Sequence, residues 1–316
     1  MAKVVNPRAI KRKIRSVQNI RKITKAMEMV SAAKLRRVQG RLQAIRPYSN
    51  KIRELLRDLA AQAGEIEIPM LKPRPQVRRV AYVVFTADKG LCGAYNANIL
   101  RLVTRTVTRP AEDVRLFAIG RKGADFLRKR GYPPAGRWLG LPVEPSFKQI
   151  REITQAVIGA YQREEVDEVH LVYTEFVSAA RYNPRVLKFL PMETKAAEEA
   201  MSHGKADLKA GAEPGKDRGG AGKAGAVEAP YGYIFEPEPG KILEQLIPRY
   251  IEILFYRVLL EAAASEHAAR MTAMHNATDN AEDLIKSLTL SYNKARQASI
   301  TKELLDIVGG AEALKG

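Results

Sequence analysis

Between Ile10 and Leu59, apolar side chains return every three or four residues. They are Ile10, Ile14, Val17, Ile20, Ile23, Met27 and Val30, then Val38, Leu42, Ile45, Ile52, Leu55 and Leu59. That spacing lays one stripe down a helix over about 8–60. Its middle, ITKAMEMVSAAKLRR at 23–37, is made of strong helix formers without Gly or Pro. Pro47 lacks an amide donor and crowds the preceding turn, so it must kink the helix or end it. A helix that runs through has about 50 residues and spans roughly 75 Å. Such a length points to a coiled coil or to a helix held by partners.

The other end of the chain has a second such pattern. Residues 241–313 read as one helix, bent near Pro248, bulky from Tyr250 to Leu260 and Ala-rich from Ala262. A stripe follows at Met271, Met274, Ala281, Leu284, Leu288 and Ala295, with Leu304 and Ile307 farther on. Some seventy residues of helix would span roughly 110 Å. The economical arrangement is an antiparallel coiled coil of the two terminal helices, seam to seam, with the intervening chain inserted at one end. Ile23, Met27 and Val30 are expected on that seam. Lys25, Ser31, Lys34, Arg36 and Arg37 are expected to face other partners.

The intervening chain has a different rhythm. RRVAYVVFTAD (78–88), DVRLFAIG (113–120), DEVHLVYTEFVS (167–178) and PRVLKFLPME (184–193) read as strands. Helical stretches at about 94–107, 121–131 and 146–164 separate them. Alternating strands and helices with short connections predict a Rossmann-like α/β domain with a largely parallel sheet. Residues 196–229 are dominated by Ala, Gly, Lys, Asp and Glu, contain no aromatics, and read as a flexible insertion. YGYIFEPEPG (231–240) reads as a closing strand and turn. The expected division is 1–76, 77–240 and 241–316.

Charge is concentrated. The net charge is +18, and residues 1–60 carry seventeen Lys and Arg against three acids, a net of +14. Such a field calls for an anionic partner: nucleic acid, anionic lipid or an acidic protein surface. Residues 1–46 contain no aromatic for base stacking, and no nucleic-acid reader motif is present. A basic coiled-coil protein that binds nucleic acid is nonetheless the alternative reading, through bare phosphate contacts. The single cysteine, Cys92, allows no internal disulfide and fits a reducing compartment. MAKVVNPRAIKRKIR has no apolar core of a signal peptide, and IEILFYRVLLEAAA (251–264) is broken by Glu252, Arg257 and Glu261. The expectation is a soluble or peripheral, cytoplasmic protein.

Chemistry-bearing motifs are scarce. TADKGLCGAYN (86–96) sits between a strand and a helix, as phosphate-binding loops do. It matches neither GxGxxG nor GxxxxGK[ST] and reads as a tight turn. His267 and His275 are two helical turns apart, too far to share a metal, and the histidines read as solvent-facing or lightly packed. No HExxH or GxSxG occurs. No catalytic, cofactor or metal residue is assigned.

Three runs then carry a resemblance. IRSVQNIRKITKAMEMVSAAKLRR, TADKGLCGAYN and NKARQASITKELLDIVGGA together resemble the gamma subunit of the F-type ATP synthase, over nearly the whole chain. The chain departs most at 196–229. Plastid members carry a redox pair of cysteines, and with Cys92 alone this chain lacks that switch. The resemblance implies a non-catalytic central-stalk rotor of a proton-translocating ATP synthase. Its terminal helices would turn inside a hexamer of alpha and beta subunits. Its α/β domain would form a foot with the epsilon subunit on the membrane c-ring, peripheral to the cytoplasmic face of the cell membrane. No cofactor and no nucleic acid are implied. Met27 matches the position where the shaft passes an acidic loop of beta. Arg296, Gln297 and Thr301 match positions that hydrogen-bond a loop of beta. Tyr233 and Glu236 match the contact of the foot with the c-ring. The alternative for Arg296 is a plain surface ion pair with Glu303 or another surface acid.

Overall fold

The computed structural model describes residues 7–62, 69–108, 110–192 and 238–313. In chain order these form α1 (Pro7–Gln62), β1 (Val80–Phe85), α2 (Tyr95–Thr106), β2 (Val114–Ile119), α3 (Arg121–Lys129), β3 (Gly136–Trp138), α4 (Phe147–Gln162), β4 (Glu168–Phe176), β5 (Tyr182–Leu190) and α5 (Pro239–Ala313). Both long helices start on proline, which is pre-set for a first turn and lacks only a donor that would be unused there. Pro47 does not end α1. Its ring lies on the exposed side, where solvent has access to the carbonyl that the missing amide leaves unpaired.

The chain divides into two compact units, and the divisions fall inside both long helices. One unit comprises Met1–Lys34, Leu91–Gly93 and His267–Gly316, the other Leu35–Gly90 and Ala94–Glu266.

The second unit holds the sheet, in the order β3-β2-β1-β4-β5. All neighbours are parallel except β4 and β5, which pair antiparallel. Every residue of β1 is buried, as expected of a central parallel strand covered on both faces. The parallel connections β1–α2–β2 and β3–α4–β4 run in opposite directions across the sheet, which the right-handed crossover rule places on opposite faces. This is a doubly wound arrangement, with its reversal between β1 and β4.

Local signals account for these boundaries. Helix α4 opens on a capping box: Ser146 Oγ accepts the Gln149 amide at 3.4 Å, and Gln149 Oε1 accepts the Ser146 amide at 3.0 Å. Gly120, at φ 90°, joins β2 to α3 where a Cβ would collide with the Thr86 carbonyl. Strand β3 is absent from the sequence reading, because three residues carry no period. Gly136 lets it approach Phe117, whose ring stacks on Trp138 at 6.2 Å. Of the strand and turn expected at 231–240, residues up to 237 lie outside the described residues, and α5 begins at Pro239.

Candidate partner-contact site

Within the first unit, α1 and α5 run antiparallel. Arg21 Nη1 lies 3.7 Å from Glu282 Oε2, and His275 Nδ1 lies 3.3 Å from Glu28 Oε1. The Thr278 hydroxyl lies 2.8 Å from both Thr24 Oγ1 and the Met274 carbonyl. Partner numbers fall along α5 as they rise along α1, which defines the direction.

The seam differs from the expected one. Side chains turned inward on α1 recur at 10, 14, 17, 24, 31, 35 and 38, in strict three–four steps if Arg21 and Glu28 fill the gaps. Between residues 20 and 31 the seam is therefore polar: Arg21, Thr24, Glu28 and Ser31. Ser31 is 2 % exposed and donates to the Met27 carbonyl at 2.8 Å. Ile23 and Val30, expected on the seam, are 60 % and 56 % exposed, and Ile20 and Met29 are exposed as well. The apolar stripe Ile20–Ile23–Met27–Val30 runs one residue out of phase with the seam and points outward, with Met27 half-buried at its margin. Ser31, expected to face partners, is core.

Helix α5 shows the same division. Met271, Met274, Ala281, Leu288 and Ala295 fall on its inner face, but Leu284, Leu304 and Ile307 are exposed. Leu290, Ile300, Leu305 and Val308 join them, so the end of α5 is apolar and uncovered among the described residues. Arg296, Gln297 and Thr301 are exposed there. Thr301 Oγ1 donates to the Gln297 carbonyl at 3.0 Å. Glu303 meets Ser299 at 3.2 Å rather than Arg296. The antiparallel register sets Met27 level with about residue 276 of α5, some 20 residues or roughly 30 Å from Arg296. The structure thus gathers Arg296, Gln297 and Thr301 but leaves Met27 at a separate level. Tyr233 and Glu236 lie outside the described residues.

His267 is buried, not lightly packed. Burial, with Arg270 and Lys34 beside it, lowers its pKa from 6.5 to about 4.

The loop at 86–96 spends its polar groups internally. Asp88 Oδ1 accepts the Arg121 amide at 2.9 Å, and Asp88 Oδ2 accepts the Gly140 amide at 2.8 Å. The start of α3, where a phosphate would sit, thus already holds a carboxylate. Thr86 Oγ1 accepts the Gly123 amide at 2.8 Å, and Asn96 Oδ1 accepts the Ala87 amide at 2.9 Å. Cys92 is buried.

The carboxyl ends of β1 and β4, where doubly wound sheets bind ligands, are occupied by α5 itself. Ser265 Oγ donates to the Thr174 carbonyl at 3.0 Å, and Tyr95 Oη donates to the Ala262 carbonyl at 3.1 Å. Phe255 packs on Phe85 and Phe189, with ring centroids 5.5 and 5.9 Å away. Among the described residues no helix is long and apolar enough to cross a membrane.

A ligand crevice filled by the chain's own helix, with apolar surface exposed along two long helices, describes a subunit whose faces call for protein partners. An ATP synthase family model matches residues 6–314. A gamma chain of Desulfitobacterium hafniense is 43 % identical over 312 residues, covering 99 % of this chain and all of the relative. The gamma chain of Heliobacterium modesticaldum is 45 % identical over 307 residues, covering 97 % and 98 %. Among solved structures, a central-stalk chain of the Tetrahymena thermophila mitochondrial ATP synthase matches with TM-score 0.55 and 25 % identity, over 81 % of this chain and 99 % of that one. A chain of the Euglena gracilis enzyme shares the fold at TM-score 0.64 and 20 % identity, over 98 % and 94 %. The chain belongs to the ATP synthase gamma-chain family. It is a non-catalytic, central-stalk subunit of ATP synthase, and the nucleic-acid alternative finds no support.

Proposed function

We propose that this subunit is the rotor that couples rotation of a membrane c-ring to ATP synthesis and hydrolysis on beta subunits, with protons as the driving ion. The observation that carries this reading is the inversion of α1. A helix that turns polar groups inward and Ile20, Ile23 and Val30 outward is built to be covered by something other than its own chain. A rotor must meet several chemically identical partners in turn. Coupling requires contacts whose free energy differs between partner states. The basic charge around this stripe suits an acidic partner loop.

On this reading the paired terminal helices form a coiled coil, and residues 1–76, 77–240 and 241–316 are its entering helix, foot and returning helix. Met27, Arg296, Gln297 and Thr301 meet beta. Tyr233 and Glu236, with the epsilon subunit, meet the c-ring. The complex lies on the cytoplasmic face of the cell membrane, with this chain peripheral.

The test is rotation in the reconstituted complex. Cys92 is buried, so the bead is attached to a cysteine introduced on the α/β domain. ATP-driven unidirectional turning is expected, and a stationary bead on an active hexamer overturns the proposal. Met27→Lys adds a charge at the moving contact. It should lower ATP-driven proton pumping per ATP hydrolysed while the complex still assembles, and unchanged coupling would remove Met27 from the contact surface.

A further inference from the structure

Within the second unit, residues 251–266 of α5 are buried or half-buried on every side of the helix. Close packing holds such a segment in place and resists its rotation, and contacts of fixed geometry add to that hold and can be removed singly with little change in volume. Hydrogen bonds, ion pairs and ring contacts specify direction. Their distribution around α5 is uneven and informative.

One group comes from α4. Arg151 Nε lies 3.3 Å from Glu252 Oε1, and Arg249 reaches the other oxygen of Glu252 at 3.6 Å. The Phe147 ring meets the Tyr256 ring at 5.8 Å. The other group comes from β4 and α2, through the Ser265–Thr174 and Tyr95–Ala262 hydrogen bonds. On this side Glu261 is paired with Arg257 at 2.9 Å, and Glu175 and Arg185 pair with each other at 2.9 Å nearby. With 3.6 residues per turn, Tyr256 lies about 40° around the helix from Glu252, while Ser265, Ala262 and Phe255 lie about 220°, about 280° and about 300° around. The contacts thus hold the helix from several directions, Tyr256 and Ser265 from opposite ones, over some 20 Å of its axis.

We infer that residues 252–265 form a torsional socket, in which Arg151, Phe147, Tyr95 and the Thr174 carbonyl fix the rotation of α5 about its own axis, so that torque passes between this helix and the α/β domain here. Contacts on one side only would let the helix pivot about them; opposed contacts resist twist in both senses. These are positioning residues that touch no substrate. The inference rests on the rotary reading and names where within the chain that reading's torque is transferred.

The experiment uses the whole reconstituted complex with the hexamer immobilised and a bead on the α/β domain. The quantity read is the angular variance of the bead during pauses between ATP-driven steps. Arg151→Met and Ser265→Ala remove one directional contact on each side with little change in volume. If six similar contacts, the two Phe255 ring contacts included, share the twist in parallel, each single change raises the variance up to about 1.2-fold and the pair up to about 1.5-fold, as for independent sites that add. Leu260→Met, a volume-conserving change in the same segment, should leave the variance at the wild-type value. A merely structural role for Arg151 and Ser265 would lower the thermal midpoint and leave the variance unmoved. Unchanged variance in the double variant overturns the socket, as does equal broadening by Leu260→Met. Should the double variant not assemble, the two single variants carry the same decision. A wild-type complex that does not turn removes the rotary reading itself, and the socket with it.

Discussion

Two stretches of α5 carry similar apolar side chains and have opposite surroundings. Residues 251–266 are enclosed by the sheet, α4 and α2, while Leu290, Ile300, Leu304, Leu305, Ile307 and Val308 lie open. The enclosed stretch is also the more apolar, with eleven of sixteen residues against nine of nineteen over 290–308. What separates them is whether the covering surface belongs to the same chain. Leu and Ile in the first stretch hold the chain together; in the second no described residue covers them.

The sharpest way to break this comparison is Phe255→Ala. Phe255 is fully buried between Phe85 and Phe189, so its truncation should cost about 3–5 kcal/mol in denaturant unfolding. A loss comparable to that of a surface change would mean that the enclosed stretch is not core.

His267 sharpens the boundary between the two stretches. Above pH 6.5 the residue is neutral in both folded and unfolded chains. As pH falls below 6.5, the unfolded chain takes up a proton first, because burial, Arg270 and Lys34 hold the folded pKa near 4. Stability should therefore decline down to about pH 4, by up to about 3 kcal/mol. His267→Gln should flatten that part of the unfolding profile, and an identical slope in the variant would place His267 in solvent.

A smaller effect tests the inversion of α1. Ser31→Leu overfills a buried seam position and should cost about 1–3 kcal/mol. Val30→Leu, one residue away and exposed, should stay within about 0.5 kcal/mol. The reverse order in thermal unfolding would restore the apolar stripe to the seam. The smallest effect on stability belongs to Leu304→Asp with Ile307→Asp, within about 0.5 kcal/mol for the chain alone. The same pair should nonetheless weaken retention of the chain by the alpha–beta hexamer in a pull-down, and undiminished retention would leave the open end of α5 without a partner.

The α/β domain was largely legible in the sequence because its signals are local. DVRLFAIG bounds itself by β-branched and apolar residues followed by Gly120, and SFKQ announces its own capping box. The seam of α1 was not legible by the same means. Its apolar residues keep phase at Ile10, Ile14 and Val17, shift by one residue from Ile20 to Val30, and return to phase at Val38. A search for apolar recurrence follows the outward stripe through that shift. Only the unbroken three–four spacing through Thr24 and Ser31 marks the true inner face. Those positions look unlike core because their partners, Glu282, Thr278 and His275, sit about 250 residues away in sequence. The occupied crevice at β1 and β4 was hidden for the same reason: nothing around Thr174 indicates that Ser265 will fill it.

The Thr24–Thr278 contact has a mechanical consequence. An apolar seam repeats every seven residues, so one helix could slip along the other by about 10 Å and find similar packing again. A hydroxyl pair flanked by Arg21 with Glu282 and Glu28 with His275 has no equivalent one repeat away. Slippage would break the cross-helix hydroxyl contact and both ion pairs. These contacts favour one register of the helix pair over its neighbours one repeat away.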